Sequence, residues 1–285
     1  MPADANPGPP LPVDANPGPP LPVDANPGPP LPVDANPGPP MPVDANPGPP
    51  MPVDADPGPP MPVDANPGPP DAGPPNGLSD EFDGASLDPS WNIKDEGLFD
   101  EVTVTDGELQ VVVSRAETLW YHADHGPALW KSIAGNFKAT TSVYTHREGY
   151  PDLDPGGYQF GGLIAYDPAI SPLNYVFGVV GPRDGMQLEF KTTVDSYSEV
   201  AAEGWGGAEA ELRICRVGDR FNLYARARGS SSWGTPAVSY ERPDLPNTLK
   251  VGPFAYSLYG FQTMRAHFSH FYIEEVASEA DCTTD

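Results

Sequence analysis

The sequence predicts an all-β protein: a two-sheet jelly-roll sandwich behind an extended, largely disordered proline-rich N-terminal tract. Three observations lead there. A decapeptide repeat fills the first seventy residues and then stops. From Gly77 onward, short apolar-alternating stretches follow at regular intervals, parted by Gly, Asp, Pro and Asn. No stretch holds a helical period beyond about two turns; "SEVAAEG", residues 198–204, comes nearest and is short.

The tract consists of seven variants of one unit, "PVDANPGPPL" in a typical copy, closed by "DAGPPNG". Four of every ten residues are proline, which removes backbone donors, locks φ and pushes each preceding residue toward extended geometry. Polyproline II remains, broken where Asn-Pro-Gly fits a type II turn. One Val and one Leu or Met per unit cannot offset the entropy of ordering. Fully extended, the tract would reach roughly 200 Å at about 3.1 Å per residue. It holds no Ser or Thr and no glycine at every third place, so it is neither a mucin-like stalk nor collagen. Residues 1–76 therefore read as a semi-rigid spacer. The sharper reading is that the units associate side by side or bind a partner one decad at a time.

The chain of 285 residues carries a formal charge of −25. The first seventy residues hold eight Asp and no Lys, Arg or Glu, so the remaining 215 keep 32 acids and all 15 bases, a net charge of −17. With both parts acidic, binding of a phosphate backbone through a basic surface is excluded as a function class. No apolar run is long enough for a membrane span. The layout is that of a secreted or cell-surface protein, with a signal or lipoprotein leader expected upstream, because the chain begins inside the repeat. Cys215 and Cys282 could close one disulfide between the domain and its tail, or stand as two thiols.

Within the domain, residues 77–277, "DEFDG…W" anchors the opening segment by burying Phe82 and Trp91. "GELQVVVS" puts Leu109, Val111 and Val113 on one face, and "FKATTSVY" sets Phe137, Ala139, Thr141 and Val143 against Lys138, Thr140, Ser142 and Tyr144. "QFGGLIAYD", "NYVFGVVG" and "MQLEFKTTV" follow. "AEAELRICRVGD" and "RFNLYARAR" form a hairpin turning at Gly218-Asp219, with Phe221, Leu223 and Ala225 on one face. "TLKVGPFAYS" and "AHFSHFYIEE" end the domain, leaving 278–285 as a tail. Ten to twelve strands of this kind suit a two-layer sandwich, with Phe82, Phe137, Phe177, Phe190 and Phe221 in its core.

Five stretches fall in a telling order: "LSDEFDGASLDPSWNI", "GPALWKSIAGNFKATTSV", "FGGLIAYDP…NYVFGVVG…LEFKTTVDSYSE", "AELRICRVGDRFNLYARARGSSSW" and "AHFSHFYIEE". Over about Leu78 to Val276 they resemble concanavalin A-like lectin/glucanase domains, most of all the laminin-G-like and xylosidase-C-terminal-like modules of bacterial surface and secreted proteins. The resemblance implies a curved sandwich whose concave sheet often meets sugar. It also implies one structural Ca²⁺ between the opening segment and the last strand. Asp80 and Asp83 match the opening part, while Ser269 and His270 stand where aspartates are common.

The laminarinase-type enzymes of that superfamily carry two glutamates around an aspartate on one strand, aimed into one cleft as nucleophile and acid. No such run occurs. In "MQLEFKTT", Glu189 alternates with Gln187 and Lys191, and one carboxylate beside a lysine is poorly arranged for paired work. Glu81 and Asp83 lie at a strand entrance. His122, Asp124 and His125 lack further ligands at metal-site spacing, and His267 and His270 lie on opposite faces of a strand unless a bulge intervenes. The expectation is therefore a non-catalytic, lectin-like module that binds a glycan. Aromatic candidates outside the core are Trp120, Tyr121, Tyr166, Tyr197, Trp205 and Trp233, with Asp195, Glu199 and Arg226 as polar partners. Tyr197 and Trp205 would frame a shallow site on a small-residue loop. The alternatives are a structural or assembly protein whose repeats do the work, and a divergent glycoside hydrolase.

Overall fold

Strands that alternate apolar and polar side chains have one face to bury, and two such sheets bury them against each other. The computed structural model describes residues 77–113, 119–152, 156–169, 171–258 and 263–285. The repeats, with the spacer and association readings placed on them, lie outside the described residues. Fourteen strands occur among the described residues: β1 (Asn92–Lys94), β2 (Phe99–Thr105), β3 (Glu108–Val113), β4 (Ala128–Ala134), β5 (Phe137–Arg147), β6 (Tyr158–Tyr166), β7 (Tyr175–Pro182), β8 (Met186–Val194), β9 (Tyr197–Gly204), β10 (Glu209–Val217), β11 (Arg220–Arg226), β12 (Val238–Glu241), β13 (Thr248–Leu258) and β14 (Met264–Glu275). They form two antiparallel seven-stranded sheets. The first runs β1-β4-β13-β6-β7-β8-β9 and the second β12-β11-β10-β5-β14-β3-β2.

The core between the sheets takes the expected inward faces: Leu109, Val111 and Val113 of β3, Phe137, Ala139 and Val143 of β5, Phe221 and Leu223 of β11, and Phe190 of β8. The β10–β11 hairpin turns at Gly218-Asp219, closed by the Val217–Arg220 pair. Gly218 takes a positive φ of 61°, which suits the first position of a type II′ turn. The opening segment is pinned at three points. Phe82 and Trp91 are buried, Asp80 bridges Phe271 of β14, and Asp80 Oδ2 accepts from the Trp91 indole at 2.7 Å.

Three details depart from the sequence reading. "SEVAAEG" is not helical: it forms most of β9, the edge strand paired to β8 from Val194–Tyr197 to Gln187–Gly204. Asp195 and Ser196 make the turn with φ of 46° and 68°, a two-residue connection of the I′ kind that matches strand twist. Ladder bonds to β8 outweigh the helix preference of a short Ala/Glu stretch. In β14 the register shifts between Phe268 and Phe271. Both phenylalanines enter the core, so the bulge breaks the simple alternation assumed for His267 and His270. Phe177 is buried, but in a separate aromatic cluster on the first sheet's other face, with Trp120, Phe160, Tyr166, Tyr175, Phe254 and Tyr256.

The tail packs on the outer face of the second sheet. Cys215 and Cys282 form a disulfide, inside a cluster with Tyr224, Trp233 and Val276. Arg213 donates to the carbonyls of Cys282 and Thr284, and Lys138 to that of Thr284.

Candidate functional site

The site is built on β8. Leu188 and Phe190 point into the core, so period-two alternation sends Gln187, Glu189, Lys191 and Thr193 to the face turned away from the second sheet. Glu189 sits between Val179 of β7 and Ala202 of β9, and Lys191 between Phe177 and Val200. Glu189, Lys191, Ser198 and Val200, with Leu119, Tyr121, Tyr158, Arg183, Tyr256 and Leu258, line a cavity of about 380 Å³.

Half of this face is filled. Trp120 is fully buried across the aromatic cluster, with ring centroids 5.2 Å from Tyr166, 5.4 Å from Tyr175 and 6.3 Å from Phe254. Its loop is fastened at both sides. The His122 amide donates to Ser198 Oγ at 3.1 Å, and the Ser198 amide donates to His122 Nδ1 at 3.3 Å. His125 meets Asp95 at 2.7 Å. The histidines that raised a metal reading thus dock the loop. Among the described residues, no group of three or more His, Cys, Asp or Glu could hold a metal ion.

Beside the filled half, two ionisable groups lie almost sealed from water. Glu189 is 4% exposed. Its Oε2 accepts from the Tyr256 hydroxyl at 3.4 Å. Its Oε1 lies 3.7 Å from the Arg183 guanidinium and has no hydrogen-bond partner among the described residues. Burial raises the carboxyl above the ordinary range, opposed by the charges of Lys191 and Arg183. Lys191, also 4% exposed, donates to the Trp120 carbonyl at 2.9 Å. Its ammonium stands 4.7 Å from the Phe177 ring centroid and 4.8 Å from that of Tyr121. Burial pulls the amine down to about 8, against the attraction of Glu189. Burial first, and Glu189 second, hold the Tyr256 phenol well above its usual value. At the rim, the Arg183 guanidinium lies 5.2 Å over Tyr158.

Chemically the cavity offers one buried acceptor, cationic donors and aromatic walls. Glu189 is the one carboxylate among its lining residues. Glycoside hydrolysis by either stereochemical course uses a pair of carboxyl groups about 5–9.5 Å apart.

The aromatic residues expected at a surface site divide. Trp120, Tyr166 and Trp233 are buried and offer no platform. Trp233 packs between the guanidinium groups of Arg213 and Arg226, and its indole donates to Asp285 at 2.8 Å. Arg226 is held by Glu211 and Asp285. Trp205 packs partly into the main core, its indole donating to the Glu209 carbonyl at 2.7 Å. Asp195 belongs to the β8–β9 turn. Only Tyr197, 77% exposed, and Glu199 come together, beside a cavity of about 350 Å³ that also touches Tyr240 and Arg242. Tyr121 does line the larger cavity. Asp80 Oδ1 accepts from the Phe82 amide at 2.8 Å while Oδ2 holds Trp91, and Asp83 is exposed. Each Asp80 oxygen thus already accepts one hydrogen bond that holds the opening segment.

Sequence reasoning passed over Tyr158, Arg183 and Tyr256. A signal was present in β8, where a carboxylate and an amine share one face of a strand whose neighbours on that face are Val179 and Phe177. Two opposite charges on a sheet face otherwise rich in aromatics mark a built polar site.

No protein-family model and no curated protein matches the chain. Solved structures do. The GH43 BlXynB protein from Bacillus licheniformis is 13% identical with a TM-score of 0.57, over 70% of this chain and 40% of that one. A xylan beta-1,4-xylosidase from Bacillus halodurans is 15% identical with a TM-score of 0.55, over 70% and 39%. A functionally unknown protein from Saccharomyces cerevisiae is 14% identical with a TM-score of 0.56, over 66% of this chain and 98% of that one. The chain thus spans about 40% of the two bacterial proteins and nearly the whole of the yeast one. What it shares with all three is a fold, the all-β sandwich of two antiparallel sheets.

Proposed function

We propose that the sandwich is a non-catalytic carbohydrate-binding module, with the Glu189–Lys191 cavity as its site, displayed by the proline-rich tract of an exported protein. One observation carries this reading: Glu189, one of whose buried carboxylate oxygens has no donor among the described residues, lines a cavity walled by Tyr121, Tyr158 and Tyr256. A sugar hydroxyl supplies the missing donor, and tyrosine faces suit the apolar side of a pyranose ring. The volume lies at the lower end of ligand sites, so a short unit fits better than a long run of polysaccharide. The fold shared with a GH43 protein and a xylan xylosidase agrees with a carbohydrate ligand. The Cys215–Cys282 disulfide agrees with an oxidising, extracellular setting.

The test is calorimetry of the chain against plant, algal and bacterial oligosaccharides, alongside Glu189→Gln and Tyr158→Ala. Binding that both variants weaken, without unfolding, supports the reading. No binding by a folded chain refutes it. The raised carboxyl of Glu189 favours one second reading, a divergent hydrolase in which it is the acid. Release of sugar from xylan or β-glucan that Glu189→Gln abolishes would establish that instead.

A further inference from the structure

The two cations of the cavity deepen that reading, on which the following rests. We infer that the cavity recognises a sugar bearing a carboxylate, a uronic acid, with Arg183 and Lys191 as its charge partners. Charge is the first ground. The domain, residues 77–277, holds 28 acids to 15 bases, yet this cavity is lined by two cations and one carboxylate. Most arginines elsewhere are neutralised at close range: Arg226 by Glu211 and Asp285, Arg228 by Glu209, Arg242 by Asp244, Arg265 by Glu101 and Glu148. Lys191 makes no ion pair within 4.0 Å among the described residues, and Arg183 reaches Glu189 at 3.7 Å without a hydrogen bond. The Arg183 side-chain donors, and those that Lys191 does not spend on the Trp120 carbonyl, can take a ligand carboxylate, which a guanidinium can grip with two parallel bonds.

Position is the second ground. Arg183 is exposed at the rim while Lys191 is buried at the floor, so a ring between them presents its acid group to one cation and its hydroxyls to Glu189. The negative charge on the rest of the domain does not forbid this. At physiological salt, charges more than about 8 Å apart are largely screened, whereas partners in contact inside a cavity are not.

The experiment titrates the full chain with trimers of galacturonic, glucuronic and mannuronic acid and with the neutral galactose, glucose and mannose trimers. The expected result is at least one acidic trimer bound about tenfold or more tighter than its neutral counterpart. Arg183→Ala should erase that preference, bringing the acidic trimer to the affinity of its neutral counterpart; its side chain is 41% exposed and can be removed without unfolding the sheet. Equal binding of neutral and acidic trimers, or acidic binding untouched by Arg183→Ala, overturns this inference and leaves the carbohydrate reading standing. A folded chain that binds neither set overturns both.

Discussion

Replacing Lys191 by Met tests whether the molecule carries a buried ammonium at a cost to its own stability. The amine titrates near 8 in the folded chain against an ordinary 10.5. Below pH 8 both states are charged and the folded one bears the full penalty of burial. Between 8 and 10.5 the folded amine loses its proton while the unfolded one keeps it, so stability rises with pH. At 1.36 kcal/mol per unit, the wild type should gain about 3 kcal/mol across that window relative to Lys191→Met. Taking the difference between the two proteins cancels every other group that titrates there. It also separates charge from the hydrogen bond to the Trp120 carbonyl, whose loss costs about 1–3 kcal/mol at every pH. Urea unfolding followed by tryptophan fluorescence, at intervals from pH 7 to 10.5, supplies the two curves. Parallel curves would refute the reasoning, since they would mean that the ammonium is as well solvated in the cavity as in water.

Glu189 gives the opposite slope. Its carboxyl is raised by burial, so the folded state holds the proton more tightly, and wild type should lose stability relative to Glu189→Gln as pH climbs from 4.5 through the folded value, read by the same urea series. Opening the disulfide, which spans 67 residues, should cost about 4 kcal/mol by chain entropy. That corresponds to a fall of roughly 10 °C in Tm for a domain of this size, measurable by calorimetry of a Cys215→Ala/Cys282→Ala variant. Trp120→Ala should cost about 3–5 kcal/mol, the range for a large buried aromatic, and should abolish glycan binding by releasing the loop that carries Tyr121. Chemical denaturation and titration calorimetry on the same sample check both halves.

The fold was readable because its signal is local. Each of β3, β5, β10 and β11 shows its own two-residue period, and the turn residues Gly218-Asp219 mark their hairpin without help from distant parts. The candidate site was not readable in that way, because it depends on which residues of β6, β8, β9 and β13 fall side by side. Sequence order places Tyr158 and Tyr256 about a hundred residues apart, yet β6 and β13 are neighbours in the first sheet, with Tyr158 opposite Leu258 and Tyr256 opposite Phe160. Aromatic residues misled for a related reason. Trp120, Tyr166 and Trp233 lie in polar or glycine-rich surroundings that read as surface, and only the docked loop and the docked tail cover them. β9 was missed because an edge strand needs one partner only, so its composition can lean toward helix and still form a ladder with β8.

That edge strand has a consequence for the molecule at high density. Beyond Ser198, whose amide is taken by His122, β9 leaves a row of backbone donors and acceptors open, the template on which β-proteins zip together and precipitate. It is guarded by Glu199 and Glu203, both exposed, and the far edge of the other sheet, β2, carries Asp100 and Glu101. Two such rims repel rather than join, so copies of the domain can crowd together without fusing through these edges into a continuous cross-β stack.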